Sequence, residues 1–192
     1  MRPPAAVLFS EQEILGRVGQ IGTEVTQAFR GREVCVIGLM KSCLLFMADL
    51  VRRVPLETTC HFLRATSLRE IGAGPPRTDI VYSAEVSYEG RHILLLCDVV
   101  DTGVTLSFLV DHIRECRPAD LKVCAIVDKP GERKVDVHPD WAVFTIKEPL
   151  DRFLVGYGLD YGEKYRELPY IGTIPRPAAP AAGRQTAISS GS

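Results

Sequence analysis

Three stretches of the chain are apolar almost without a break: EVCVIGLM at 33–40, HILLLCDVV at 92–100 and KVCAIVDKP at 122–130. A strand with one face in water alternates apolar and polar residues, whereas a strand covered on both faces does not. Segments of helical spacing lie between these runs. Ile14, Val18, Ile21, Val25 and Phe29 form one stripe; a Ser10–Glu13 capping box opens that helix and Gly31 marks its end. CLLFMADLVRRV (43–54) and TLSFLVDHIREC (105–116) read as two more helices. Buried strands alternating with helices predict an α/β fold, a mostly parallel twisted sheet flanked by helices. ETTCHFLRATS (57–67) and IVYSAEVSY (80–88) add strands, as do the short WAVFTI (141–146) and RFLVGYG (152–158). LREIGAGPPRTD (68–79) reads as a loop.

A chain of 192 residues with 46% hydrophobic content can bury one core, so a single domain is expected over 1–172. The Pro-, Ala- and Ser-rich remainder, 173–192, is expected to be a flexible tail. A net charge of −1 without a basic block argues against nucleic-acid binding, and no apolar run is long enough to span a bilayer. The N-terminal MRPPAAVLFSEQE lacks the apolar centre of a signal peptide, and the six cysteines include no C-x-x-C pair. Buried, reduced thiols in a cytoplasmic protein are expected.

Parallel α/β sheets bind ligands beyond the carboxyl ends of their strands. At such an end, LLLCDVVDTGVTL (94–106) sets two carboxylates before a glycine turn and a new helix. The amides and hydroxyls of Asp101, Thr102, Gly103, Val104 and Thr105 suit a phosphate monoester. Asp98 can accept from sugar hydroxyls or help hold a divalent cation, and Asp101 can act as a general base. Asp101 or Thr102 could equally do no more than cap the helix. These residues alone do not separate the two readings. No P-loop occurs, and GYGLDYG (156–162) only mimics a dinucleotide fingerprint.

LLLCDVVDTGVTL resembles the phosphoribosyl-pyrophosphate signature of type I phosphoribosyltransferases. RFLVGYGLDYGEKYRELPYIG (152–172) is similar to the C-terminal signature of hypoxanthine-guanine phosphoribosyltransferases. With VLFSEQEILGRV, VIGLMKSCLLFMADLVRRV and VDKP in the same order, the resemblance covers roughly 7–174. It implies the type I phosphoribosyltransferase fold with a small hood and a mobile flap at 68–79. The implied activity is that of a cytoplasmic, Mg2+-dependent purine salvage glycosyltransferase. Such an enzyme moves ribose 5-phosphate from phosphoribosyl pyrophosphate to hypoxanthine or guanine and is a homodimer or homotetramer. Its implied site has the 5-phosphate on residues 101–105, Asp98 at the ribose, and Asp101 taking the N7 proton. Lys129 would reach the purine 6-oxo group, Phe153 would stack on the ring, and Leu154 and Asp160 would read its C2 edge. Lys41 and Arg166 would contact pyrophosphate, with metal near Asp98 and Asp160. Taken singly, each has a plainer reading: Lys129 a solvated turn residue, Phe153 a core residue, Asp160 a loop acid, Arg166 a surface ion pair.

Three positions depart from the family pattern. Cys97-Asp98 stands where adjacent acids are usual, Met40-Lys41-Ser42-Cys43 replaces a Leu-Lys-Gly-Gly loop, and Ser67-Leu68 replaces a Ser-Tyr pair. They favour the alternative of a catalytically impaired nucleotide- or phosphoribosyl-pyrophosphate-binding regulatory homologue.

Overall fold

The computed structural model describes residues 6–68, 77–82 and 87–175. Its larger sheet comprises β2 (Val34–Leu39), β3 (Thr58–Leu68), β4 (Arg77–Tyr82), β5 (His92–Val100), β6 (Asp120–Asp128) and β7 (Trp141–Thr145). Their spatial order is β4-β3-β2-β5-β6-β7. All neighbours are parallel except β4, which pairs antiparallel with β3 at the edge. The expected mostly parallel α/β fold is therefore what forms.

The apolar run of β5 is explained by its two faces. Leu94 and Leu96 pack with Ile14, Val18, Phe46 and Leu50 of α1 (Glu11–Ala28) and α2 (Leu44–Val51). Ile93, Leu95 and Cys97 face Leu109 and Ile113 of α3 (Val104–Glu115) on the other side. The capping box forms as read: the Ser10 hydroxyl accepts from the Glu13 amide, and the Glu13 carboxylate accepts from the Ser10 amide.

The direction in which the chain winds across the sheet reverses between the parallel neighbours β2 and β5. From β2 the chain crosses by α2 to β3 on one side; from β5 it crosses by α3 to β6 on the other. Such a switch point leaves a crevice at the carboxyl ends, here between Met40–Cys43 and Cys97–Thr105.

A three-stranded antiparallel sheet, β1 (Ala6–Phe9), β9 (Ile171–Pro175) and β8 (Arg152–Val155) in the order β1-β9-β8, forms a small hood. Phe9 stacks on Phe144 of β7 with ring centroids 3.7 Å apart, which ties the hood to the main sheet. Neither β1 nor β9 was expected from pattern; runs of four and five residues are too short to carry a period. β9 extends past the boundary read at Gly172, with Thr173 and Ile174 buried. The loop read at 68–79 is also shorter than expected, because Leu68 ends β3 and Arg77–Asp79 begin β4. The rest of that loop, 69–76, lies outside the described residues, as do 83–86 of the strand read at 80–88 and 176–192 of the tail.

Candidate active site

The turn after β5 is made by Gly103, whose φ of +83° caps α3 in the left-handed region. A Cβ on Gly103 would lie 2.8 Å from Arg133 Cδ and 2.8 Å from Val137 Cγ1, so both backbone and space demand glycine. Gly103 brings no capping side chain, and the Thr102 hydroxyl stands 3.5 Å from the Val104 amide. Asp101 does not cap the helix and Thr102 does so only through that long bond from the Val104 amide, so the remaining amides at the start of α3 are left for an anion. Asp98, Asp101, Thr102, Gly103 and Thr105 line one cleft of about 90 Å³ here. Val104, also read as a phosphate residue, is exposed at the start of the helix.

Lys129 comes next to this turn because β6 lies beside β5. Its amide donates to the Val100 carbonyl at 2.9 Å, and its side chain is buried although lysine seldom is. Lys129 Nζ lies 3.6 Å from Asp101 Oδ1 and 3.8 Å from a Glu132 carboxylate oxygen. The Asp101 Oδ1 atom is itself buried and accepts no hydrogen bond. A second space of about 240 Å³ opens among Asp101, Lys129, Glu132, Leu150 and Asp151. Phe153 and Leu154 sit on β8 in the hood. The Phe153 ring is 37% exposed and tilts against Tyr161 with centroids 5.2 Å apart.

The third group gathers around the turn after β2, where the Met40–Lys41 peptide is cis. Lys41 Nζ reaches the Glu163 carboxylate at 2.8 Å. Arg166 spreads its guanidinium over Asp160 (2.8 Å), the Gly158 carbonyl (2.8 Å), the Ser42 hydroxyl (3.3 Å) and Glu163 (3.4 Å). Both oxygens of Asp160 are engaged, one by Arg166 and the other by the Glu163 amide at 2.8 Å. Tyr157 anchors this C-terminal loop to α2, its hydroxyl donating to Asp49 at 2.9 Å. Burial pushes the pKa of the Asp98 carboxyl up, against a hydrogen bond with Ser42 and the charge of Arg166. Asp98 thereby joins the β5 turn to the Lys41 and Arg166 group.

Two of the three departures acquire physical content. Neither Ser42 nor Cys43 adopts a positive φ, so the loop needs no glycine at either position. Cys43 is buried and donates to the Leu96 carbonyl at 3.3 Å. Cys97 is buried on the α3 face, and burial holds its thiol protonated well above the usual range. It cannot act as a carboxylate. Arg133, Glu163 and Tyr157 were not singled out in the sequence. Each acts through a partner distant in the chain, and a single sequence shows no such pairing.

Because burial raises the Asp98 pKa, its carboxylate weakens the ligand-free fold at neutral pH and stops doing so once protonated. Asp98→Asn is expected to raise Tm at pH 7, with the gain closing as pH falls through the raised pKa. Calorimetry across pH 4–8 checks this, and a constant difference would deny the burial effect.

Residues 8–162 match the model of the phosphoribosyl transferase domain family. The hypoxanthine-guanine phosphoribosyltransferase of Bacillus subtilis is 38% identical over 168 residues, covering 88% of this chain and 92% of that protein. The hypoxanthine phosphoribosyltransferase of Haemophilus influenzae is 33% identical, covering 88% and 94%. Among solved structures, a hypoxanthine-guanine phosphoribosyltransferase of Bacillus anthracis superposes with a TM-score of 0.78 at 34% identity, over 88% of this chain and 96% of that one. With its crevice at the switch point between β2 and β5 and its glycine-capped turn after β5, this chain belongs to the phosphoribosyl transferase family.

Proposed function

We propose that the chain is a purine salvage enzyme of the hypoxanthine-guanine phosphoribosyltransferase kind. It transfers ribose 5-phosphate from phosphoribosyl pyrophosphate to a 6-oxopurine. The observation that carries this reading is Asp101 and Lys129 facing one another at 3.6 Å beside the open amides of α3. Those amides and the hydroxyls of Thr102 and Thr105 hold the 5-phosphate, and Asp98 accepts from the ribose hydroxyls. A purine laid against Phe153 offers its 6-oxo group to Lys129 and its N7 proton to Asp101. As N9 bonds to C1 of the ribose, the C1–oxygen bond breaks and the electron pair leaves with pyrophosphate. Lys41 and Arg166 meet that developing charge. Leu154 and the Asp160 loop border the C2 edge.

Among the described residues no three acids, histidines or cysteines cluster to cage a metal. That composition fits Mg2+, which binds through one or two carboxylates plus substrate phosphates. Asp98, whose buried carboxylate gains from a neighbouring cation, is the better protein ligand. Asp160 is committed to Arg166 and contributes only if that ion pair opens. When bound, Mg2+ neutralises charge on the pyrophosphate.

Six unpaired cysteines agree with a reducing cytoplasm, and among the described residues no helix is long and apolar enough to cross a membrane. Met40, Leu44 and Leu45 expose an apolar patch around Lys41, which supports a homodimer or homotetramer joined there. Nothing in the comparisons favours the regulatory alternative. A steady-state assay with hypoxanthine, guanine and xanthine, phosphoribosyl pyrophosphate and Mg2+ tests the proposal. Nucleotide formed from any of the three supports it, and tight binding without turnover would return the chain to a binding role. Cys97→Glu, which adds a carboxylate below the ribose, is expected to lower the KM for phosphoribosyl pyrophosphate and to lower Tm. An unchanged KM would mean that position 97 does not face the sugar.

A further inference from the structure

We propose that Arg133 is a positioning residue whose buried guanidinium sets how far Lys129 stands from Asp101, and so the geometry in which the purine is held. The proposal rests on the functional reading above. Arg133 lies in GERK (131–134), a sequence that suggests a solvated turn. Its side chain is instead only 9% exposed. One nitrogen of the fork, Nη1, donates to the Asp101 carbonyl oxygen at 2.8 Å. The other, Nη2, pairs with the carboxylate of Asp128, the residue immediately before Lys129. A single planar group therefore spans the two turns that carry the base and the purine lysine.

The rest of the side chain is held as firmly. Its Cδ fills the place where a Cβ on Gly103 would sit. Main-chain bonds run alongside, from the Lys129 amide to the Val100 carbonyl and from the Lys134 amide to the Thr102 carbonyl, each 2.9 Å. Stability alone is a poor reason for this arrangement, since a buried ion pair contributes little beyond an apolar replacement. The Arg133 Nε is also buried without a hydrogen-bond partner, which weakens the fold further.

What the strut does provide is a gap. Opposite charges this close attract, even with the Asp101 side chain half exposed. Asp101 and Lys129 nevertheless stop at 3.6 Å, beyond a hydrogen bond, with Asp101 Oδ1 still open. If the pair closed, the lysine would occupy the acceptor that N7 needs, and Asp101 would occupy the donor that the 6-oxo group needs. Arg133 ties the Asp101 main chain to the Asp128 carboxylate beside Lys129 and so prevents that closure.

The test is a double-variant cycle. Arg133→Lys keeps a cation for Asp128 but lacks the fork that reaches the Asp101 carbonyl; Arg133→Gln removes the charge. We expect either variant, folded as judged by its Tm, to lose about 10- to 100-fold in kcat/KM for hypoxanthine. The KM for phosphoribosyl pyrophosphate should move less than about threefold, because the amide cradle of α3 is still in place. In a Lys129→Met background, the added Arg133→Lys change should cost less than about a further threefold, since it acts through a group already gone. Losses that multiply in full, a single variant indistinguishable from the parent, or failure of both variants to fold would each overturn the strut. A parent enzyme inert toward all three purines sinks the functional reading and the strut with it; a working parent with multiplying losses sinks the strut alone.

Discussion

Asp101→Asn is expected to lower kcat by about 10²- to 10⁴-fold and to leave the KM for phosphoribosyl pyrophosphate within about threefold. The change is isosteric, and what the turn needs from this residue is main chain. Its carbonyl accepts from Arg133, and the φ of Gly103 still sets the start of α3. The phosphate cradle should therefore survive. The capacity to take a proton does not survive. An amide oxygen at the Oδ1 position would still face Lys129, but a neutral amide has no place for the N7 proton as the purine N9 attacks. In the proposed mechanism the two parameters separate because the same turn binds with its backbone and reacts with one side chain. Pre-steady-state measurements with hypoxanthine isolate the chemical step from product release. A kcat equal to the parent's would remove Asp101 from the role of base and leave it as a partner for Lys129 alone.

The sheet and its crevice were legible because their cause is local. HILLLCDVV has to be buried on both faces, and its last carboxylates have to emerge where the burial stops. The capping box and the three helices follow from spacing in the same way. The hood was not legible as pattern, because β1 and β9 are four and five residues long and pair across nearly the whole chain. The site divides along the same line. Asp98, Asp101 and Thr102–Thr105 are read from one stretch, since a strand, a glycine and a helix start determine what their amides do. Lys129 is buried against Asp101 only because β6 lies next to β5, a fact of topology. Arg133 and Glu163 carry no signal in their own segments. Their partners Asp101 and Lys41 stand 32 and 122 positions away. In the Met40–Cys43 loop neither Ser42 nor Cys43 adopts a positive φ, so its backbone as folded strains neither residue.

On the opposite loop, as at Gly103, the site does require a glycine. Gly158 has φ +93°, and a Cβ there would fall 2.1 Å from the Ser42 carbonyl oxygen. That contact is main chain against main chain, so no side chain can swing aside to relieve it. The Gly158 carbonyl in turn accepts from Arg166, and its amide donates to the Arg166 carbonyl at 3.0 Å. A shift at 158 therefore moves Arg166 away from Ser42 and parts the two cations proposed to meet the leaving group. Gly158→Ala is expected to cut kcat/KM for phosphoribosyl pyrophosphate by about 100-fold or more, the effect of a misplacement near 1 Å. Gly162→Ala is the matched control. Its φ of +59° is also left-handed, but nothing lies within 4 Å of the added carbon, so it should show only the backbone strain, about 1–2 kcal/mol of stability read as a lowered Tm. If the two variants lose activity equally, left-handed strain explains both and the close approach of the loops is not what aligns Lys41 with Arg166. If only Gly158→Ala collapses, the gap between Ser42 and Gly158 is the dimension that sets pyrophosphate binding.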